Sequence, residues 1–535
     1  MKKILCLILI MAVMLSLVGC NAASPNTKEE RPSGGLQIDG ITSGGGSWWD
    51  GLFGDGDKNA SEGGSTPSIN SGIVIPEEIP DEEASQNNFS ENPFVSTSDE
   101  PTSTFSADVD TASYTYFRKL VESRYSLKEL IATVRNSIRT EEMINYFNYN
   151  YAAPGDNELF SKTVQIAQSP WNSKTHLLVV GLQAAKAEIA TKNNLVFLID
   201  VSGSMSSQDK LPLLQKSFAY LVDNLGEDDI VSIVTYSGHE AVVLDGCSGA
   251  KKETIINAIN SLKASGSTNG ESGLKKAYQI AEQHFISDGN NRIILASDGD
   301  LNVGMSSVDE VQKFVSDKRD QGIFMSVLGF GTGNYKDSMM ETIADHGNGV
   351  YYYIDSEIEA EKIFGHEICS TLYTIAKDVK MQLSFNPDYI TSYRLIGYEN
   401  RVMNNEDFEN DTKDAGDLGS GHSVTVCYEI VLSDTALEAS SSETFIDLSI
   451  RYKDPNEFKS QLEEASFGID AYTTTPNDNF KFISCVIETS MIIHNSQYMN
   501  KITLSNVIEQ LQEITLNDEY KMQFKSLVEK LNGAS

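Results

Sequence analysis

Between Asn194 and about Tyr373, short apolar runs alternate with helix-like stretches, and this pattern constrains the fold more than any other feature of the chain. Runs such as Leu195-Val196-Phe197-Leu198-Ile199 and Ile293-Ile294-Leu295-Ala296 are continuous rather than alternating. A short continuous run is expected of a strand covered on both faces. Strands separated by helices build a parallel sheet with right-handed crossovers. The pattern predicts strands over 195–199, 230–236, 240–244, 292–297, 323–329 and 350–354, with helices between them, for example over 211–225, 270–285, 307–320 and 357–372. The short run at 240–244 suits an antiparallel edge. Open α/β sheets of this kind place ligand sites at the carboxyl ends of their strands.

Three loops at that edge carry hard oxygen donors. Asp200-Val201-Ser202-Gly203-Ser204 follows directly on the 195–199 strand. Thr268 lies in Ser265-Gly266-Ser267-Thr268-Asn269-Gly270, and Asp298, followed by Gly299, ends the 292–297 strand. Carboxylates and hydroxyls without thiolate or imidazole suit Mg²⁺, Mn²⁺ or Ca²⁺. The set Asp-x-Ser-x-Ser, then Thr, then Asp resembles the metal-ion-dependent adhesion site of von Willebrand factor type A domains. That resemblance implies an α/β, doubly wound, mostly parallel, Rossmann-like sheet over residues 191–374. It also implies that Asp200, Ser202, Ser204, Thr268 and Asp298 contact a divalent cation, Mg²⁺ before Mn²⁺ or Ca²⁺. Ser202, Ser204 and Thr268 would bind the ion directly or through water. The aspartates would often act through water, leaving the ion electrophilic, and an Asp or Glu of a protein ligand would complete its coordination sphere.

At 535 residues the chain is too long for one core. Its net charge of -35 excludes the basic footprint of a nucleic-acid binder. Lys2 and Lys3 precede an apolar stretch at 4–18, too short to span a bilayer and suited to a secretory signal. It ends in Leu17-Val18-Gly19-Cys20, which resembles a bacterial lipobox and implies cleavage after residue 19 and lipidation of Cys20. The protein is therefore expected outside the cytoplasm, lipid-anchored to a bacterial membrane. Residues 20–103 are rich in Gly, Ser and acidic residues and read as a disordered tether, with a reach on the order of 50 Å. The island Trp48-Trp49-Asp50-Gly51-Leu52-Phe53 interrupts it, either as a docking patch or as a local cluster. Cys247, Cys369, Cys427 and Cys485 form no Cys-x-x-Cys pair, so zinc and redox motifs are unsupported and buried free thiols are expected.

Order is expected to begin near Thr104. Residues 104–190 read as helices then strands, with Asp108 or Asp110 capping the first helix or, less favoured, binding a second cation, a second helix over about 128–147, and strands at 161–168 and 176–182. Alternation returns at 375–455, and 456–535 reads as helical. Strand-like segments thus flank the α/β region on both sides, which predicts one β-sandwich with the α/β domain inserted between its strands. The flanks also resemble those of a group of bacterial von Willebrand factor A proteins, through Ser106-Ala107-Asp108-Val109-Asp110-Thr111-Ala112-Ser113-Tyr114, Arg139-Thr140-Glu141-Glu142-Met143-Ile144-Asn145-Tyr146-Phe147 and Tyr393-Arg394-Leu395-Ile396-Gly397-Tyr398-Glu399-Asn400-Arg401.

Other constellations are incomplete. Gly329-Phe330-Gly331-Thr332-Gly333 lacks the spacing and ribose-gripping acid of a dinucleotide loop, and His366-Glu367 lacks the second His of a zincin helix. Asp300 and Asn302 would either tune the site or serve the turn. The expected function is capture of a protein ligand through the cation, without catalysis. The alternatives are an envelope scaffold in which the cation only stabilises loops and, less favoured, a metal-dependent hydrolase needing His239, His346 or an acid as base.

Overall fold

The computed structural model of the chain describes residues 90–534 apart from 135–136, 157, 187–191, 300–307, 332–336, 368–369, 371, 456 and 517. The expected signal peptide, Cys20, the 48–53 island, most of the tether, Asp300, Asn302 and Cys369 lie outside the described residues.

Order begins before Thr104. The first strands are β1 (Val95–Ser96) and β2 (Thr102–Ser106). The side-chain amide of Asn92 donates to the carbonyls of Leu395 and Gly397, and the Thr97 hydroxyl donates to that of Ile390. These partners lie some three hundred residues along the chain, so the polar local composition concealed the pairing. Three helices follow: α1 (Ala112–Glu122), α2 (Leu127–Val134) and α3 (Thr140–Asn145). The single helix expected over 128–147 is therefore two, with Arg139 extended at φ -103°, ψ 132° before α3. Neither Asp108 nor Asp110 caps α1, whose N-cap is Thr111. Asp108 instead accepts from the Asp110 amide at 3.2 Å and from Arg401 at 3.4 Å. Strands β3 (Phe160–Gln168) and β4 (His176–Ala184) complete this part.

The inserted domain runs β5 (Asn193–Asp200), α4 (Leu211–Asp223), β6 (Ile230–Tyr236), β7 (Glu240–Ser248), α5 (Lys252–Asn260), α6 (Gly270–Gln283), β8 (Asn290–Ser297), α7 (Val308–Arg319), β9 (Ile323–Phe330), α8 (Asp337–His346), β10 (Tyr351–Ile354) and α9 (Glu357–Glu361). Its sheet order is β10-β9-β8-β5-β6-β7, parallel except for the antiparallel edge β7. Leu195, Phe197 and Ile199 enter the core on one face, and Val196 and Leu198 the core on the other. This two-sided burial is why β5 is a continuous apolar run. Helices α5 and α8 lie between strands, as the alternating pattern requires. The helix expected over 357–372 is α9 followed by a π-helical turn, Lys362–His366.

After the insertion come β11 (Thr374–Phe385), β12 (Ile390–Ile396), β13 (Val402–Met403), β14 (Gly416–Gly419), β15 (Ser423–Leu432), β16 (Thr444–Lys453), β17 (Ser460–Gly468), and helices α10 (Asp478–His494), α11 (Leu504–Gln512) and α12 (Glu519–Gly533). Strands from both flanks combine in two sheets, β1-β12-β15-β4-β3 and β13-β2-β11-β16-β17. Val180 pairs with Val426 and Leu178 with Tyr428, so segments separated by the whole inserted domain share one ladder. Their inner faces pack on one another through Phe105, Leu178, Val180, Met381 and Tyr428, forming the expected sandwich. The other face of β4, Leu177 and Val179, packs under α1–α3 and α10–α12. β17 lies in the stretch expected to be helical. Among the described residues it is a polar edge strand paired only with β16; Glu464 is exposed along it, whereas Glu463 turns to the Lys162 ammonium of β3. The two ends of the insertion are held by one turn: Ser420 donates to the Tyr373 carbonyl at 2.7 Å and Gly421 to that of Ala185 at 2.9 Å.

Candidate metal centre

β5 sits in the middle of the inserted sheet, between β6 and β8. The chain leaves it toward α4 on one side and reaches β8 on the other, so its carboxyl end is a topological switch point, where a crevice opens. Asp200 is the last residue of β5 and is fully buried. Its Oδ1 accepts the Ser202 backbone N–H at 2.8 Å, and the Ser297 hydroxyl approaches its Oδ2 at 3.5 Å. Among the described residues it has no ion-pair partner. Burial pushes the Asp200 carboxyl up to about 6, against the hydrogen bonds from Ser202, and the neighbouring Asp298 carboxylate adds to the rise. A charged carboxylate in such a place calls for a cation.

The other residues converge on it. Ser202 is buried and Ser204 exposed, and their hydroxyl oxygens lie 2.9 Å apart. They stand on a tight turn, Gly203–Ser206, that opens the crevice to solvent. The loop of Thr268 is zipped to this turn: Ser265 donates to the Val201 carbonyl at 2.7 Å, and Gly203 donates to that of Gly266 at 3.0 Å. Gly266 makes the bend at φ +85°, where a side chain is strained. Thr268 itself is half-buried, two residues beyond the zipped segment. Asp298, 3 % exposed, follows β8. The structure thus brings all three loop segments to one edge. Two buried carboxylates and three hydroxyls match the donor chemistry of a hard divalent cation. Among the described residues no three His, Cys, Asp or Glu side chains cluster as metal ligands, so a site here depends on its hydroxyls.

One residue at this edge was missed by sequence reasoning. Lys210, 8 % exposed, donates from Nζ to Asp298 Oδ2 at 2.8 Å and to the Ser204 carbonyl at 3.0 Å. It is the N-cap of α4. A lysine at a helix N-terminus opposes the helix dipole, and that conflict was the available signal. Two histidines were weighed as bases for a hydrolase. His346 closes α8 with Nδ1 on the Thr342 carbonyl, and His239 is exposed in the turn between β6 and β7. Gly331, which follows β9, faces Lys210: a Cβ added there would stand 2.2 Å from Lys210 Cε.

Comparison with known proteins agrees with this architecture. The von Willebrand factor type A domain family matches residues 194–366, a second von Willebrand factor family matches 80–179, and the C-terminal family of YfbK matches 370–533. The chain is 38 % identical to YfbK of Escherichia coli (strain K12) over 472 residues, 84 % of this chain and 81 % of that protein. It is 27 % identical to human inter-alpha-trypsin inhibitor heavy chain H3 over 191 residues, 34 % of this chain and 21 % of that protein. Among solved structures, a von Willebrand factor type A protein from Catenulispora acidiphila aligns at 15 % identity and a TM-score of 0.42, covering 72 % of this chain and 97 % of that one. A von Willebrand factor type A domain generally mediates protein–protein interaction or adhesion. With its inserted α/β domain, flanking sandwich and C-terminal helices, the chain belongs to the YfbK family of von Willebrand factor type A domain proteins.

Proposed function

We propose that the protein captures a protein ligand outside the cytoplasm through a divalent cation held by Ser202, Ser204 and Thr268 with Asp200 and Asp298. The observation that carries this reading is Asp200: a fully buried carboxylate at the switch point, without an ion-pair partner among the described residues, beside two serine hydroxyls 2.9 Å apart. Mg²⁺ suits a site of few carboxylates that leaves room for water, with Mn²⁺ or Ca²⁺ as alternatives. When bound, the ion supplies a Lewis-acidic position for a carboxylate oxygen. Ser204, exposed at the rim, marks where an Asp or Glu of the ligand would arrive. Cys20 would carry the lipid that holds the protein to the membrane.

The test is a pull-down from envelope extract with the purified protein, in Mg²⁺ and in chelator, beside Asp200→Ala. Retention of a partner only by wild type with metal is the expected result. Equal retention in all arms would remove function from this edge and favour a scaffold role for the flanking sandwich.

A further inference from the structure

The two carboxylates of the candidate centre are not equivalent. Asp200 has no basic partner among the described residues, whereas Asp298 holds the Lys210 ammonium at 2.8 Å. That contact is built rather than incidental. The first turn of α4 contains no acidic residue, so the helix itself offers Lys210 no compensation for standing at its positive end. The side chain runs along the bare Cα of Gly331, which adopts φ +79°; a Cβ there would meet Lys210 Cε, Cγ and Cδ at 2.2–2.8 Å. The Gly331 carbonyl is in turn held by the Tyr353 hydroxyl at 2.6 Å, and that hydroxyl accepts from Lys119 of α1 at 2.9 Å. Three elements therefore shape the path of one ammonium group into the edge of the site.

An ammonium lodged there changes the electrostatics of ion binding. It cancels one of the two buried negative charges, so an entering divalent cation meets one uncompensated carboxylate instead of two. It also occupies a lone pair of Asp298 that an ion or its water would use. We propose that Lys210 is a tethered cation that competes with the divalent ion for Asp298, weakening ion binding and leaving the bound ion with net positive charge toward an anionic ligand. This rests on the metal-site reading above.

The test is titration of the purified protein with Mn²⁺ alone, followed by calorimetry and by the rise in Tm, for wild type, Lys210→Gln and Lys210→Arg, with circular dichroism as the check on fold. The expected result is roughly tenfold tighter Mn²⁺ binding by Lys210→Gln, a conservative figure for one unit charge at contact distance in a partly screened site. Lys210→Arg, which keeps the charge, should stay near wild type. A purely structural lysine predicts the opposite sign, because a loosened site binds the ion less well. Gly331→Ala provides a second route should Lys210→Gln fail to fold: it displaces the lysine stem and should likewise tighten binding. Binding by wild type with equal or weaker binding by folded Lys210→Gln, or by Gly331→Ala where that variant stands in for it, overturns the role of Lys210 and leaves the metal site standing. Absence of Mn²⁺ binding by wild type and variants alike overturns both.

Discussion

Glu488 lies within α10, 1 % exposed, and its Oε2 accepts the Gln510 side-chain amide at 2.7 Å. Burial lifts its carboxyl to about 7, with the Gln510 hydrogen bond opposing the rise. A raised carboxyl disfavours folding wherever the folded state must hold it charged. The cost is therefore full above pH 7, shrinks as pH falls, and vanishes below the ordinary carboxylate value, where both states are protonated. Glu488→Gln keeps the hydrogen bond and removes the charge. It should stabilise the protein by on the order of 2–3 kcal/mol at pH 8 and by nothing near pH 4; urea unfolding at the two pH values checks this. At this scale Asp200, Ser202, Ser204 and Asp298 could be assigned to one edge because they follow strands β5 and β8, whereas Thr268 follows helix α5 and was assigned there by the family resemblance alone. Lys210 was not legible, because its meaning depends on Asp298 and Gly331, which only the folded sheet brings to it.

Arg118 shows how elements are tied together. It sits on α1, 1 % exposed, and its guanidinium donates to Asp355 at 2.9 Å, Glu359 of α9 at 2.8 Å, Tyr146 at 2.9 Å and Gln523 of α12 at 3.1 Å. One side chain thus links the N-terminal flank, the end of the inserted domain and the C-terminal helices. Arg118→Ala would strand two buried carboxylates and should cost about 3–5 kcal/mol in denaturant unfolding. Arg118→Lys should recover little of this, since an ammonium cannot reproduce the forked geometry. The strands of the inserted sheet were readable because two-sided burial leaves the middle of β5, Leu195 to Ile199, continuously apolar. The break between α2 and α3 and the strand β17 were not: the first depends on an extended Arg139, the second on a polar edge stabilised by pairing with β16. Cys427 and Cys485, expected as buried thiols, are buried and free, as is Cys247, and burial pushes the first two well above the ordinary thiol range.

On the scale of the whole molecule, the α/β domain is an insertion whose ends are pinned by adjacent residues, Ser420 and Gly421. That arrangement was foreseeable from strand-like segments on both sides of an α/β pattern, but the sheet order was not, since ladder partners such as Val180 and Val426 carry no mark of one another. The C-terminal helices cover the outer face of the first sheet. Ending the chain after Thr475 would uncover Leu177, Val179 and Cys427. Such a protein should bind a hydrophobic dye strongly and aggregate, because the exposed patch would be large and contiguous; dye fluorescence and light scattering measure this. The account's central claim concerns the edge of the inserted sheet, and calorimetric titration of the purified protein with Mg²⁺, wild type against Asp200→Ala, tests it most directly. The account predicts saturable binding of a single ion by wild type and none by a variant with an unchanged circular dichroism spectrum. No binding by wild type, or equal binding by the variant, would contradict it.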